Sequence, residues 1–400
     1  MKGFLKMKKL LRLLFIAIIF QSAVAFAQDT VAPKTPICSL RLLLPPAVYA
    51  VPGHEISIYF DNVILTPCVK NYLFDVDCKA GRQDQERWRY TPESKDVGSF
   101  PFSLKVFDTF DKLAGEASTT VYLSPANAGA GKNISLLIVG DSLTDASVYP
   151  KELYKLFKNE GNPNVKFIGS HAGHGSEVKE GVPGHEGRGG WTWNSFCTKW
   201  TEEKDKPYRA KSPFLVLKEG KPVLDFKAYC DKYNEGKAPD FITIMLGIND
   251  SFGATDETIE KSIDSMFGYA DTLLAEFRKV GPNTKIGIVL IPPPAATQDA
   301  FGSNYKCGQT RWQYRKNQHR VAERLIQKFA GKEKENLFII PAYINIDCVN
   351  GFPKKQETAN SRSSVKISRD SNGVHPAPEG YLQIADSIYY WLKYQLSQEK

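Results

Sequence analysis

Two hydrophobic rhythms divide the chain. From about residue 40 to residue 123, apolar positions recur at every second residue. Ile56, Ile58 and Phe60 alternate with Ser57 and Tyr59, and Tyr72, Phe74, Val76 and Cys78 repeat the pattern. Phe102, Leu104 and Val106 make a third set, and Thr119, Val121 and Leu123 a fourth. Val51-Pro52-Gly53, Ala80-Gly81 and Asp96-Val97-Gly98 stand between them as turn signals. A period of two places alternate side chains on one face of a strand. Short strands of this kind, punctuated by turns, predict a small all-β, immunoglobulin-like sandwich over residues 28–124.

Ser124-Pro125-Ala126-Asn127-Ala128-Gly129-Ala130-Gly131 breaks every periodicity and reads as a linker. Beyond it the rhythm changes. Ile134–Val139, Phe241–Met245, Ile286–Ile291 and Leu337–Ile340 are short continuous apolar runs, with Val165–Ile168 a weaker fifth. Runs of this type suit strands buried on both faces of a parallel sheet. Helical spacing fills the gaps. Thr255–Val280 sets Ile259, Ile263, Met266, Phe267 and Leu274 on one stripe, and Glu379–Leu396 does so with Tyr381, Ile384, Ala385, Ile388, Trp391 and Leu392. Arg311–Phe329 is so rich in charge that it is expected on the surface. Strands alternating with helices predict a three-layer α/β domain over residues 133–400, with its chemistry at the carboxyl ends of the strands.

Composition adds a bound and removes a distraction. The 400 residues exceed one ordinary core, and 42% hydrophobic with 24% charged excludes disorder. The formal charge of +8 is largely local, because Lys2, Lys6, Lys8, Lys9 and Arg12 lie in the first 27 residues. Without them 47 bases face 44 acids, too even a balance to argue for nucleic acid. Those first residues read as a signal peptide. A Lys-rich start, the apolar run Leu10–Phe20 and Ala25-Phe26-Ala27 follow the expected order, with cleavage before Gln28. The run is short for a membrane span and no second candidate follows, so export without stable membrane insertion is expected, whether to periplasm or medium.

Export permits disulfides, and seven cysteines leave at least one unpaired within the chain. The pairing expected here is Cys68–Cys78, Cys197–Cys230 and Cys307–Cys348, with Cys38 left over; free buried thiols are the competing reading. No C-x-x-C pair offers a structural zinc site. His171-Ala172-Gly173-His174 lacks neighbouring ligand residues and reads as loop histidines, and no dinucleotide or Walker-type loop appears. No metal and no cofactor is expected. Trp88 and Tyr90 have the chemistry to stack on sugar rings, but packing is their expected role.

Four short blocks carry the chemistry. Gly140-Asp141-Ser142-Leu143-Thr144 follows the first buried strand directly, which lifts a Ser hydroxyl to the sheet edge near a helix amino end. Leu246-Gly247-Ile248-Asn249-Asp250 follows Phe241–Met245 and aims an Asn amide at the same edge. His185-Glu186-Gly187-Arg188-Gly189-Gly190-Trp191-Thr192 is a glycine-rich loop that admits close backbone approach. Asn372-Gly373-Val374-His375-Pro376 precedes the last helix. Alone, each has an ordinary structural explanation, such as an N-cap for Ser142 or a turn for Asn249.

In this order the blocks resemble the SGNH (GDSL) hydrolases, over residues 134–396. Ser212-Pro213-Phe214, Asp225-Phe226, Tyr229 and Pro239-Asp240 further resemble secreted bacterial members with a leading β-sandwich. The resemblance implies a flavodoxin-like sheet and hydrolysis of esters, often acyl groups on carbohydrates. It implies Ser142 as nucleophile, His375 as base, and an oxyanion hole from Ser142 N–H, Gly190 N–H and the Asn249 side chain. Arg188 and Trp191 flank that loop as candidate substrate contacts; Arg188 has the alternative of pairing with Glu186. Members usually carry Asp three residues before the His, where this chain has Asn372, with Asp370 two residues further back. Three arrangements follow: Asp370 supplies the acid, Asn372 orients the imidazole, or Ser142 and His375 work as a dyad. The expected partner is an acylated carbohydrate. Lipase, lysophospholipase or thioesterase activity, or glycan binding without catalysis, are the competing functions.

Overall fold

A computed structural model describes residues 40–202 and 204–399. The signal segment and Cys38 lie outside the described residues. Seven strands come first: β1 (Ala47–Ala50), β2 (Ile56–Tyr59), β3 (Leu73–Cys78), β4 (Arg82–Gln83), β5 (Arg87–Tyr90), β6 (Gly98–Phe107) and β7 (Leu113–Leu123). They form a four-stranded sheet in the order β1-β7-β6-β3 and a three-stranded sheet in the order β2-β5-β4. All pairs are antiparallel except β1 with β7. The period-two sets land where expected: Phe102, Leu104, Val106, Thr119, Val121 and Leu123 are all buried.

Aromatic rings join the two sheets. Trp88 meets Phe102 edge-on at 5.1 Å and donates its indole N–H to Ala80 O at 2.9 Å, so it is a core residue and not a sugar platform. Phe60 leaves its strand as the first residue of helix α1 (Phe60–Val63) and stacks on Phe74 at 4.6 Å. Strand β2 is buried on both faces. Its outer face is covered by the following domain, whose Asn345 accepts from Ser57 N–H at 3.2 Å.

Residues 124–131 form successive turns packed on the last helix, not a free tether. Ser124 N–H pairs with Ala50 O at 3.1 Å, and Lys393 Nζ donates to Ala128 O at 2.6 Å. The parallel sheet follows: β8 (Asn133–Gly140), β9 (Asn164–Ile168), β10 (Glu186–Gly187), β13 (Phe241–Met245), β14 (Lys285–Val289) and β15 (Leu337–Ile340), with the hairpin β11 (Leu215–Lys218) and β12 (Lys221–Leu224) between. β9 pairs with the first half of β8 and β10 with its end, so both lie on one flank, while β13, β14 and β15 extend the other. The chain thus reverses direction across the sheet at β8 and β13. In a flavodoxin-like order the crevice between those two strands' carboxyl ends is where ligands sit.

Helices cover both faces. α2 (Ser142–Asp145) and α3 (Val148–Lys158) follow β8, and α4 (Trp193–Thr198) and α5 (Phe226–Tyr233) follow β10. α6 (Ile248–Ser251) and α7 (Ile259–Val280) follow β13, α8 (Gln298–Tyr305) and α9 (Arg311–Phe329) follow β14, and α10 (Ala342–Asn345) follows β15. A second hairpin, β16 (Lys354–Thr358) and β17 (Lys366–Asp370), leads to α11 (Pro378–Ser397). α11 lays Trp391 on the sheet against Phe241 and Phe338.

Two expectations need correction. α9 is not a surface helix: Arg315, Asn317, Gln318 and His319 are buried, Arg315 against Asp61 and Ile64 and Asn317 against the carbonyls of Ser251 and Ala254. Arg315 forks onto the Asp61 carboxylate at 2.8 and 2.9 Å and donates to Ile64 O at 3.0 Å, satisfying the charge it buries. The expected disulfides do not form either: the six described cysteines are free. Cys348 is buried against Asn62 Oδ1 at 3.2 Å, whereas Cys307 is exposed; Cys197 donates to Tyr269 O at 3.4 Å. Among the described residues, no helix is long and apolar enough to cross a membrane.

Candidate active site

β8 ends at Gly140 and turns at once into α2. A Cβ at Gly140 would lie 1.9 Å from Thr144 Oγ1, so only glycine lets the helix fold back onto the strand end. Asp141 caps the helix, its Oδ1 accepting from Leu143 N–H at 3.0 Å. Ser142 therefore occupies the first helical position at the carboxyl edge of the sheet. His375 arrives from the loop between β17 and α11, 233 positions away, and its Nε2 lies 2.9 Å from Ser142 Oγ.

Asn372 holds that loop in shape. Its Oδ1 accepts from Val374 N–H at 3.0 Å and His375 N–H at 2.9 Å, so it fixes the backbone that carries the imidazole. Asp370 is buried at the end of β17 and accepts from Thr297 Oγ1 at 2.8 Å. Among the described residues neither side chain bonds the His375 ring. Burial holds the His375 pKa below the usual histidine value.

Asn249 is brought to the same place by the turn after β13, where Gly247 takes φ +133°. Its Nδ2 donates to Trp191 O at 3.0 Å and to Asp141 Oδ2 at 3.2 Å, which ties the serine turn to the glycine loop. The glycine loop is held by β10 against the end of β8 and by Arg188 N–H to Gly140 O at 3.0 Å. Gly190 has φ +78°, a left-handed turn closed by Trp191 N–H to Arg188 O at 3.1 Å. A Cβ at Gly187 would lie 2.5 Å from Asp145 N, and the Cβ position of Gly189 lies 3.8 Å from Ser142 Cβ, so both glycines pack the loop on the nucleophile turn.

Residues 136–388 match the GDSL-like lipase/acylhydrolase family. The chain belongs to that family. Several solved structures resemble this GDSL acylhydrolase at low identity. An acetyl esterase mutant with acetate ion is 16% identical, with a TM-score of 0.37, covering 66% of this chain and 98% of its own. A carbohydrate esterase of family 3 from Talaromyces cellulolyticus is 16% identical, with a TM-score of 0.36, covering 67% and 100%. An acetylxylan esterase from Geobacillus stearothermophilus is 14% identical, with a TM-score of 0.34, covering 68% and 97%. No curated protein matches the chain.

Of the two candidate substrate contacts of the acylhydrolase, Arg188 takes its stated alternative, the pair with Glu186, and Trp191 is buried. Arg188 and Trp191 are 2% and 1% exposed, so neither side chain is offered to a substrate. Arg188 pairs with buried Glu186, donates to Tyr208 O at 2.8 Å and lies over the Trp191 ring. Glu186 also accepts from Ser170 N–H, the Ser170 hydroxyl and the Tyr229 hydroxyl. Burial alone would raise the Glu186 pKa, but Arg188 leads a set of partners that bring it below the usual value. The pair is the buried brace of the glycine loop. His171 and His185 pack ring to ring beside it, and His171 Nδ1 sits at 2.5 Å from Ala172 O.

Sequence reasoning passed over Asp141 and Asp250, although each adjoins a residue it singled out. Burial pushes both carboxyls up to about 7. Asp250 Oδ1 accepts from Trp193 N–H at 3.2 Å, while its Oδ2 has no partner among the described residues. Arg209 was also passed over, since it lies in a stretch with no motif.

Proposed function

We propose that this acylhydrolase is an exported serine esterase that removes O-acetyl groups from carbohydrates. One observation carries the reading: a serine hydroxyl at a strand-to-helix turn stands 2.9 Å from a histidine Nε2, beside an Asn amide and a glycine loop. Ser142 Oγ attacks the ester carbonyl carbon as its proton passes to His375 Nε2. The tetrahedral intermediate collapses, the bond to the sugar oxygen breaks, and His375 returns the proton to that oxygen. Water then attacks the acetyl-serine, giving its proton to His375. Collapse releases acetic acid, and Ser142 Oγ recovers a proton from His375.

The oxyanion is met by the N–H groups of Ser142 and Gly190 and by the Asn249 amide. Asn249 joins by exchanging its longer contact, to Asp141, for the substrate oxygen. A single such donor is worth about two to three orders of magnitude in rate. Side chains around Ser142, including Asn249, Asp145 and Arg209, are polar, which suits a hydroxyl-rich leaving group better than a long acyl chain. In this reading His375 works as the base of a dyad on a loop shaped by Asn372.

The test is hydrolysis of p-nitrophenyl acetate, octanoate and palmitate by wild type and Ser142→Ala. The expected result is selective acetate turnover, lost by at least about four orders of magnitude in the variant. Preference for palmitate would make the protein a lipase, and turnover independent of Ser142 would overturn the reading.

A further inference from the structure

Arg209 is a cation at the edge of the reacting centre with no counter-ion among the described residues. It is half-buried and follows Pro207 and Tyr208 in a short turn. Its Nε is buried with no acceptor among the described residues, and its guanidinium forms no ion pair or hydrogen bond among them. Both terminal nitrogens lie over the glycine loop. Nη2 is 3.4 Å from the Cβ position of Gly190, and Nη1 is 3.8 Å from that of Gly189. The same Gly189 position is 3.8 Å from Ser142 Cβ and 3.4 Å from Asp145 Oδ2. Guanidinium, nucleophile turn and oxyanion loop therefore converge on one spot.

Among the described residues, the carboxylate beside this spot is already engaged. Asp145 accepts from the Tyr208 hydroxyl at 2.9 Å and from His174 N–H at 3.0 Å, and its side chain is 6% exposed. Arg188, the other guanidinium of the region, is saturated by Glu186, Ser170 and Tyr208. A buried or half-buried guanidinium left unpaired is costly, and its planar fork suits a carboxylate in two-point contact. A glycine at position 189 or 190 leaves room above the loop for such a group to approach.

We propose that Arg209 is a specificity-determining residue that binds a carboxylate on the substrate, so that the preferred substrate is an O-acetylated acidic sugar with its carboxylate next to the ester-bearing ring position. The proposal rests on the esterase reading above and adds the substrate class to it.

Three esters separate the possibilities: an O-acetylated methyl glucuronoside, the matching O-acetylated methyl glucoside, and the glucuronoside with its carboxylate masked as a methyl ester. Wild type is expected to favour the free carboxylate by about ten- to a hundredfold in kcat/KM, chiefly through KM. Added salt should narrow that margin. Arg209→Gln should lose at least about tenfold more on the carboxylate than on the two neutral esters, and Arg209→Lys should keep part of the preference. Binding of methyl glucuronoside to Ser142→Ala, followed by NMR, should weaken on adding Arg209→Gln and gives a readout that needs no turnover. Equal losses on all three esters, or a wild type with no carboxylate preference, would overturn the assignment. Ser142-dependent cleavage of p-nitrophenyl acetate without that preference removes Arg209 alone; absence of any Ser142-dependent cleavage removes the esterase reading with it.

Discussion

His375 faces Ser142 with no carboxylate bonded to its ring among the described residues, and this sets how the site responds to pH. The base form is the neutral imidazole, and burial keeps its pKa below the usual 6.5. Activity should therefore rise with pH through a midpoint below 6.5 and stay level above it, in the kcat/KM profile on p-nitrophenyl acetate. Asn372→Asp retains an acceptor for Val374 N–H and His375 N–H and adds a negative charge beside the imidazolium. That charge favours protonation, so the midpoint should move upward in this variant; an unmoved midpoint would show that residue 372 acts on the loop backbone only. The serine, asparagine and histidine were legible because each directly follows a strand end or precedes a helix in a short distinctive block. For Arg188 the alternative of pairing with Glu186 is the one the structure shows, and Trp191 packs on Phe196; as substrate contacts both looked plausible because a glycine-rich surrounding looks exposed, while Ser170 and Tyr208, which bond Arg188, lie elsewhere in the sequence. Arg209 was silent for the same reason in reverse: nothing near it in sequence marks the loop it reaches.

At the level of elements, periodicity located helices well and their neighbours poorly. Ile259–Val280, Arg311–Phe329 and Pro378–Ser397 begin and end near the expected limits, because an apolar stripe belongs to the helix itself. Which face of α9 is covered depends in part on α1, some 250 positions earlier, with Arg315 bonded to Asp61 at a separation of 254. Removing the guanidinium strands the Ile64 carbonyl and leaves Asp61 only its longer contact with Arg311 at 3.6 Å, so Arg315→Ala should cost about 2 kcal/mol, read as a lower urea midpoint with unchanged slope. The hairpins β11–β12 and β16–β17 escaped notice because they carry no alternation: Lys354–Thr358 is Lys-Lys-Gln-Glu-Thr, exposed along most of its length. The second of these hairpins matters, since it ends on Asp370 and delivers the loop of His375.

Across the whole molecule, the leading strands are bound into the hydrolase by specific polar contacts as well as by rings. Asn62 donates to Ile346 O at 2.8 Å, Tyr390 donates to Glu55 O at 3.0 Å, and Tyr49 lies 5.0 Å from Tyr394. A sequence pattern with a clean break at the Ala/Gly stretch conceals this, because the contacts are made by residues far on either side of the break. Removing residues 28–123 should leave Tyr390, Tyr343 and the buried polar face of α9 uncovered. The fragment is expected to lose solubility and p-nitrophenyl acetate turnover, whereas the full chain should melt in one transition followed by circular dichroism. A soluble, active fragment would show the two parts to be independent. At the opposite pole from the chemistry, Glu399 closes the last helix onto Lys132 and Lys285, at the amino ends of β8 and β14. A fusion partner or an immobilising support attached beside Glu399 would therefore hold the molecule by its base, with the crevice of Ser142 turned outward to polymer too large to diffuse past a crowded surface.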